Sequence, residues 1–348
     1  MKHKVVVFDV DETLGNFIQF SLFCHALEDY FNQSGIIYRY FNDLVDLYPE
    51  IIRPSMVRIL DYIRKKKNAG VCSKVMIYTN NMGPKKWVEH IRDYFETKLR
   101  ESVQTNKSGG IGNGNGLAII PPLFDHTIGG FNPNSKNDLS KRTSTYPERT
   151  TSEKTVKEFI RCSRLPSDID ICFLDDLQHP KMVDERVYYI KLQAYHSFIP
   201  FEMFVVRFLN SALYRDVFDK FNLPSVITGT SNAAKKQIIS IELYNVLMRY
   251  VEMSDYDERS IHQKVNPREI DEIISKYILY HLQQFFKDGP PQNSQTLRAS
   301  STSRNQIRKT SKKNVSKRNA NSNHNGHIFY VDKNTAVKNM KNTTMRKR

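Results

Sequence analysis

Apolar residues along the chain fall into two patterns. Short continuous runs occupy Val5 to Asp9, Lys74 to Tyr78, Leu123 to Ile128 and Ile169 to Leu174, with a fifth at Val187 to Ile190. Runs of this length without alternation mark strands buried on both faces, as in a parallel sheet. Between them, apolar positions recur at helical spacing over residues 17 to 32, 54 to 67 (after Pro54), 85 to 101 and 152 to 163. The last of these has Thr151 or Ser152 available as its cap. Strands alternating with helices over about 200 residues predict a doubly wound α/β fold with a mainly parallel sheet. Such folds bind ligands at the carboxyl ends of their strands.

The same pattern divides the rest of the chain. Residues 1 to 200 read as the α/β core, with a small helical insert over 17 to 47. Residues 102 to 122 contain Gly109, Gly110, Gly112, Gly114 and Gly116, but the register fits neither phosphate-loop pattern, so they predict a flexible loop. Residues 132 to 151 predict a second surface loop. From 201 to 288 the spacing is helical throughout, either a separate subdomain or helices on the flank of the sheet. The apolar stretch FIPFEMFVVRFLNSALY is interrupted by Glu202 and Arg207 and is shorter than the roughly 20 apolar residues of a membrane span, so it reads as a buried helix.

Charge alters the picture only at the end of the chain. The net charge of +15 suggests nucleic acid, but residues 289 to 348 hold fourteen Lys and Arg against Asp332 alone, leaving 38 basic and 36 acidic residues before Gly289. The core is nearly neutral and the basicity belongs to a tail. That tail, poor in large apolar residues except for HIFYV at 327 to 331, predicts disorder. Its KKNVSKR segment suits phosphates or a nuclear address, making nucleic acid or an acidic partner a candidate. Cys24, Cys72, Cys162 and Cys172 form neither a CxxC pair nor a metal-ligand spacing, so reduced, buried thiols in an intracellular protein are expected. No secretory leader is visible at the start. A soluble cytoplasmic or nuclear protein without membrane contact is the resulting expectation, and the oligomeric state is open.

The chemistry lies at the strand ends. KVVVFDVDETL closes a buried strand with Asp9 and Asp11, two residues apart and therefore pointing to one side while Val10 turns back to the core. Two carboxylates there are costly unless a cation or a bound proton relieves them. A calcium loop fails on spacing, since Leu14 and Phe20 stand where an EF-hand needs Gly and Glu. The second strand ends in Thr79, Asn80 and Asn81, and the fourth in Asp175 and Asp176. A divalent ion with oxygen ligands, Mg²⁺ above all, would suit that set.

FDVDETL, YTNN and FLDD together resemble the first, second and fourth motifs of the haloacid dehalogenase-like (HAD) phosphohydrolases, over about residues 4 to 195. DETL, IIRPSM at 51 to 56 and IYTNN are similar to the branch related to RNA polymerase C-terminal-domain phosphatases. The resemblance implies an Mg²⁺-dependent phosphomonoester hydrolase. It makes Asp9 the nucleophile that forms an aspartyl-phosphate, and Asp11 the acid and base. The metal would be held by Asp9, the backbone carbonyl of Asp11, and Asp175, with Asp176 bound directly or one step removed. Thr79, Asn80 and a lysine would hold the phosphoryl oxygens. The lysine is Lys154, placed in the first turn of the helix before the fourth strand, or Lys157 one turn on. His179 and Pro180, after the acidic pair, could shape the surroundings of the metal. The small insert implies an accessible site, and the substrate is a phosphoprotein, a nucleotide or a nucleic-acid end. The alternative is an inactive HAD-fold protein that binds nucleic acid or another partner through its basic tail.

Overall fold

A computed structural model describes residues 3–107, 121–133, 146–221, 231–291 and 327–335. Six strands form one sheet: β1 (His3–Phe8), β2 (Lys74–Tyr78), β3 (His126–Ile128), β4 (Ile169–Asp175), β5 (Val187–Leu192) and β6 (His327–Val331). All pair in parallel, in the order β3-β2-β1-β4-β5-β6. The doubly wound reading is therefore correct. From β1 the chain winds outward through β2 to β3 and then crosses back to β4 on the other side of β1. The topological switch point lies between β1 and β4, where such sheets bind ligands.

Eleven α-helices are described: α1 (Ile18–Tyr30), α2 (Ile36–Arg39), α3 (Phe41–Asp46), α4 (Met56–Asn68), α5 (Lys85–Lys107), α6 (Val156–Ser163), α7 (Phe201–Asn210), α8 (Ala212–Asp216), α9 (Asn232–Met253), α10 (Glu258–Lys264) and α11 (Arg268–Asp288). Val5 to Phe8 are wholly buried because both faces of the sheet are covered. Val6, Phe8, Ile77, Leu174 and Ile190 face a thick helical layer that includes Phe20 and Phe23 of α1, Phe204 and Phe208 of α7, Leu243 of α9 and Ile278 of α11. Val5, Val7, Tyr78, Phe173 and Tyr189 face the other way, against Val156, Phe159 and Cys162 of α6.

This layering revises several boundaries. The helices of residues 17 to 47 are part of the core layer, with α1 against α9 and α3 against α5, because their Phe residues are needed under the sheet. The helices after residue 201 lie on the flank of the sheet and share its core. The apolar stretch from Phe198 becomes α7 and α8, broken at Ser211, whose hydroxyl caps α8 by accepting from Tyr214 N. α5 runs on to Lys107, into the span expected to be a loop; residues 108–120 lie outside the described residues. β3 is shorter than its apolar run, since Leu123 and Phe124 are buried without joining the ladder and their amides donate to Glu96.

The disordered-tail expectation fails at its apolar island. HIFYV is β6, paired with β5 from Tyr188↔His327 to Leu192↔Val331. Phe329 stacks on Tyr188 with ring centroids 4.2 Å apart, and Val331 is buried. A bare strand edge and an aromatic face supply what the surrounding polar residues lack. Residues 292–326 and 336–348, which carry most of the basic charge, lie outside the described residues. All four cysteines are buried and free. No described helix is long and apolar enough to cross a membrane.

Candidate metal and phosphoryl site

Strand phase brings the carboxylates together. Asp9 continues β1 in register with Val5 and Val7, its amide donating to Leu174 O at 2.9 Å. Asp175 ends β4 in the phase of Ile171 and Phe173. Side chains two apart share a face, so both carboxyls leave the sheet on the α6 side at the switch point. Asp176 joins them, and carboxylate oxygens of Asp9, Asp175 and Asp176 lie within 4.8 Å of one another.

Lys154 is buried between two of these groups. Its Nζ donates to Asp9 Oδ1 at 2.6 Å and to Asp175 Oδ2 at 2.7 Å. It stands just before α6 and not in its first turn, because the cap is Thr155, whose Oγ1 accepts from Glu158 N. Thr155 N donates to Tyr78 OH at 3.3 Å, and the ammonium lies over the Tyr78 and Phe173 rings. Lys157 is exposed on the helix. The cluster therefore includes Lys154 and leaves out Lys157.

The two aspartates of the first motif have different surroundings. Beyond Val10 the chain leaves the sheet in a tight loop, with Glu12 N donating to Gly15 O and Glu12 in the left-handed region at φ 56°. Asp11 is not one of the three clustered carboxylates and accepts from Asn81 Nδ2 at 2.9 Å. Thr13 and Asp176 bind each other reciprocally: Thr13 Oγ1 donates to Asp176 Oδ1, and Asp176 N donates to Thr13 Oγ1. Thr79 is buried at the end of β2, and its hydroxyl accepts from Asn81 N at 3.1 Å. Asn80 is exposed and its Oδ1 accepts from Arg149. His179 Nε2 is 3.2 Å from Asp175 Oδ2 without the alignment of a hydrogen bond. Pro180 opens a short 3-10 turn.

The sequence assigns no individual role to three further residues at the site. Asn81, beside Asn80, is the one that reaches Asp11. Arg149 belongs to the span 132–151 expected to be a surface loop; residues 134–145 lie outside the described residues, but Arg149 is buried. It donates to Thr79 O at 3.0 Å, Asn80 Oδ1 at 2.6 Å and Ser152 O at 2.6 Å, with its guanidinium over the Tyr78 ring. Arg53, within IIRPSM, is buried and donates to Thr13 O at 2.7 Å, Glu12 O at 2.5 Å and Gln193 O at 2.9 Å. It clamps the first-motif loop to the exit of β5. Its place between a Pro-containing turn and a helix does not reveal that in the sequence.

Charge balance decides whether a cation fits. Burial pushes the Asp9 carboxyl up to about 6, although Lys154 pulls it down. Burial, with Asp9 and Asp175 beside it, pushes Asp176 up to about 7. Burial also acts on Asp175, but His179 and Lys154 outweigh it and hold that carboxyl below its usual range. Burial opposes the Lys154 charge, and Asp9 and Asp175 more than restore it. Asp11 is raised by burial, with Asn81 and Lys154 acting against the shift. One ammonium among three buried carboxylates leaves negative charge uncompensated, and the oxygen-only donor set suits a hard divalent ion. The residues present fit such an ion. In comparisons with known proteins, no family model, curated protein or solved structure matches the chain.

Proposed function

We propose that the chain is a HAD-like phosphomonoester hydrolase that works through an aspartyl-phosphate on Asp9. The observation that carries the reading is the unequal placing of the two aspartates: Asp9 lies in a buried cluster with Lys154, and Asp11 lies outside it on an amide. A nucleophile and an acid need those different surroundings. Asp9, Asp175 and Asp176, with the backbone carbonyl of Asp11, would hold Mg²⁺. The ion supplies neutralisation of phosphate charge and of the crowded carboxylates when bound.

The remaining chemistry belongs to the chain. Asp9 attacks phosphorus through Oδ2, for which no hydrogen-bond donor exists among the described residues, while Lys154 retains Oδ1. The new Asp9 oxygen–phosphorus bond forms as the bond to the leaving oxygen breaks. Asp11 gives that oxygen its proton. The raised affinity of Asp11 for a proton suits this step. Asp11 then takes a proton from water, which attacks phosphorus and releases inorganic phosphate and the Asp9 carboxylate. The Thr79 hydroxyl and the Lys154 ammonium stabilise the charge on the non-bridging oxygens.

Hydrolysis of a simple aryl phosphate, with and without Mg²⁺, tests the reading. Metal-dependent turnover by the wild type that disappears in Asp9→Asn is expected. Turnover that survives in Asp9→Asn would overturn it, and no turnover on a broad phosphomonoester panel favours the binding-protein alternative.

A further inference from the structure

A cavity of about 510 Å³ opens at the carboxyl ends of β2 and β3. Asn81, the residue that holds the Asp11 carboxylate, lines it, and so does Arg149, which holds Thr79 O. We propose that this cavity receives the leaving group and that the leaving group is a nucleoside, making the substrate a nucleoside monophosphate. The inference rests on the phosphohydrolase reading, since it assigns the side of the site that Asp11 protonates.

Position comes first. A proton donor must reach the oxygen it protonates, so the leaving group sits on the Asp11 side of the phosphoryl group. Asn81 ties Asp11 directly to the cavity wall. Volume comes next: about 510 Å³ lies within the range of small-molecule sites and is far larger than a serine or glycerol residue requires.

The walls then set the chemistry. His126 and Tyr146 stack on each other with centroids 3.9 Å apart and planes 22° from parallel, so each covers one face of the other and a planar ring would extend the stack from an outer face. Met82 and Ile128 add apolar surface, and Gly129 leaves open space where a side chain would stand. The charged residues of the lining are Arg149 and Glu148, so there is no excess cation to receive a second phosphate. Both Nη atoms of Arg149 already serve Thr79, Asn80 and Ser152. That favours a neutral leaving group over a diphosphate or a sugar phosphate. Two lining residues also keep a buried polar atom with no hydrogen-bond partner among the described residues, Thr127 Oγ1 and Arg149 Nε. Buried polar atoms seek partners, and the polar edge of a nucleobase offers more of them than a plain aryl ring does.

Gly129 permits a clean test. A Cβ there meets nothing within 4 Å and the backbone is not left-handed, whereas a Cβ on Gly130 would meet Asn81 O at 2.6 Å. Gly129→Leu therefore adds a side chain at a cavity-lining position where the backbone leaves room for a Cβ. The full-length protein with Mg²⁺ is assayed on adenosine and uridine 5′-monophosphates, phosphotyrosine and glycerol phosphate. Binding of free adenosine and uridine to Asp9→Asn is measured by calorimetry, with and without Gly129→Leu.

The expected result is a kcat/KM preference for the nucleotides over glycerol phosphate that Gly129→Leu reduces by about tenfold or more, the cost of losing one or two well-made contacts. Nucleosides should bind Asp9→Asn and lose that binding when Gly129→Leu is added. Equal turnover of glycerol phosphate and nucleotides, with no nucleoside binding, overturns the inference and leaves the hydrolase reading intact. A preference for phosphotyrosine that responds to Gly129→Leu overturns the nucleoside assignment. Nucleoside binding sensitive to Gly129→Leu in a protein that turns over no phosphomonoester supports the cavity and refutes the hydrolase.

Discussion

Arg53 is the residue on which the geometry of the site most depends without touching the carboxylates. A guanidinium buried in an α/β core is expensive, and burial lowers its pKa to about 10 despite help from Asp271 and Asp176. Its hydrogen bonds to Glu12 O, Thr13 O and Gln193 O offset that cost and hold a loop that contains a left-handed Glu12. Arg53→Met should therefore destabilise the fold by about 3 kcal/mol or more, from the loss of several charge-assisted bonds to buried carbonyls. Urea unfolding measures this, and an unchanged midpoint would mean that the loop holds itself. The nucleophile candidate was legible because Val5, Val7 and Asp9 share a strand phase, and Asp175 follows from Ile171 and Phe173 in the same way. Asn81 was visible only as one of the polar residues closing β2, and the roles of Arg53 and Arg149 were not legible, since a side chain that bonds to distant backbone carbonyls or to another loop leaves no periodicity in the sequence.

At the scale of elements, the carboxyl edge of the sheet and the helices that cover it answer to different signals. Parallel strands read clearly as apolar runs. β3 was overextended because Leu123 and Phe124 are buried by helix packing and by the Glu96 bonds, which resemble strand burial in a sequence. The start of α6 was placed too early because Thr151, Ser152 and Thr155 are all competent caps; Tyr78 OH decides the matter by accepting from Thr155 N. α11 supplies one pH-sensitive contact of the fold. His281 lies near the Tyr188 hydroxyl, with Nδ1 at 3.0 Å, and beside the Phe329 ring. Burial moves its pKa from 6.5 down to about 4. The unfolded chain then binds this proton first on acidification, so the contribution of His281 is complete above pH 6.5 and is lost as pH falls toward 4. Relative to His281→Gln, stability in urea should fall over that window; the comparison between the two proteins isolates His281, because the raised carboxyls of Asp9 and Asp176 take up protons over the same range and act the other way in both. Identical slopes would contradict the assignment.

For the molecule as a whole, the C-terminal strand changes how the basic region is understood. HIFYV was visible as an apolar island, but its surroundings read as a disordered tail, and no local pattern shows that a strand edge far back in the chain awaits it. The described residues flanking 292–326 both lie at the amino edge of the sheet. Lys4, at the start of β1, donates to Phe285 O and Phe286 O at the end of α11, and His327 pairs with Tyr188 at the start of β5. The basic segment therefore leaves and re-enters the fold at the edge opposite Asp9. Deleting residues 292–348 removes the Phe329 stack, buried Val331 and the Gln193 N bond to Val331 O, and should cost about 2 kcal/mol or more. A lowered thermal midpoint checks this, whereas an unstructured tail would leave the midpoint unchanged.

In the proposed mechanism Asp9 carries the phosphoryl group while Asp11 moves the protons. Intact-protein and peptide mass spectrometry of Asp11→Asn, quenched in acid after incubation with Mg²⁺ and a reactive aryl phosphate, tests it most directly. With the base that activates water removed, one phosphoryl group should accumulate, on the peptide containing Asp9 and on that residue, and none should appear when Asp9→Asn is added. A phosphoryl group on any other residue, or turnover of the same substrate by Asp9→Asn, would contradict the account.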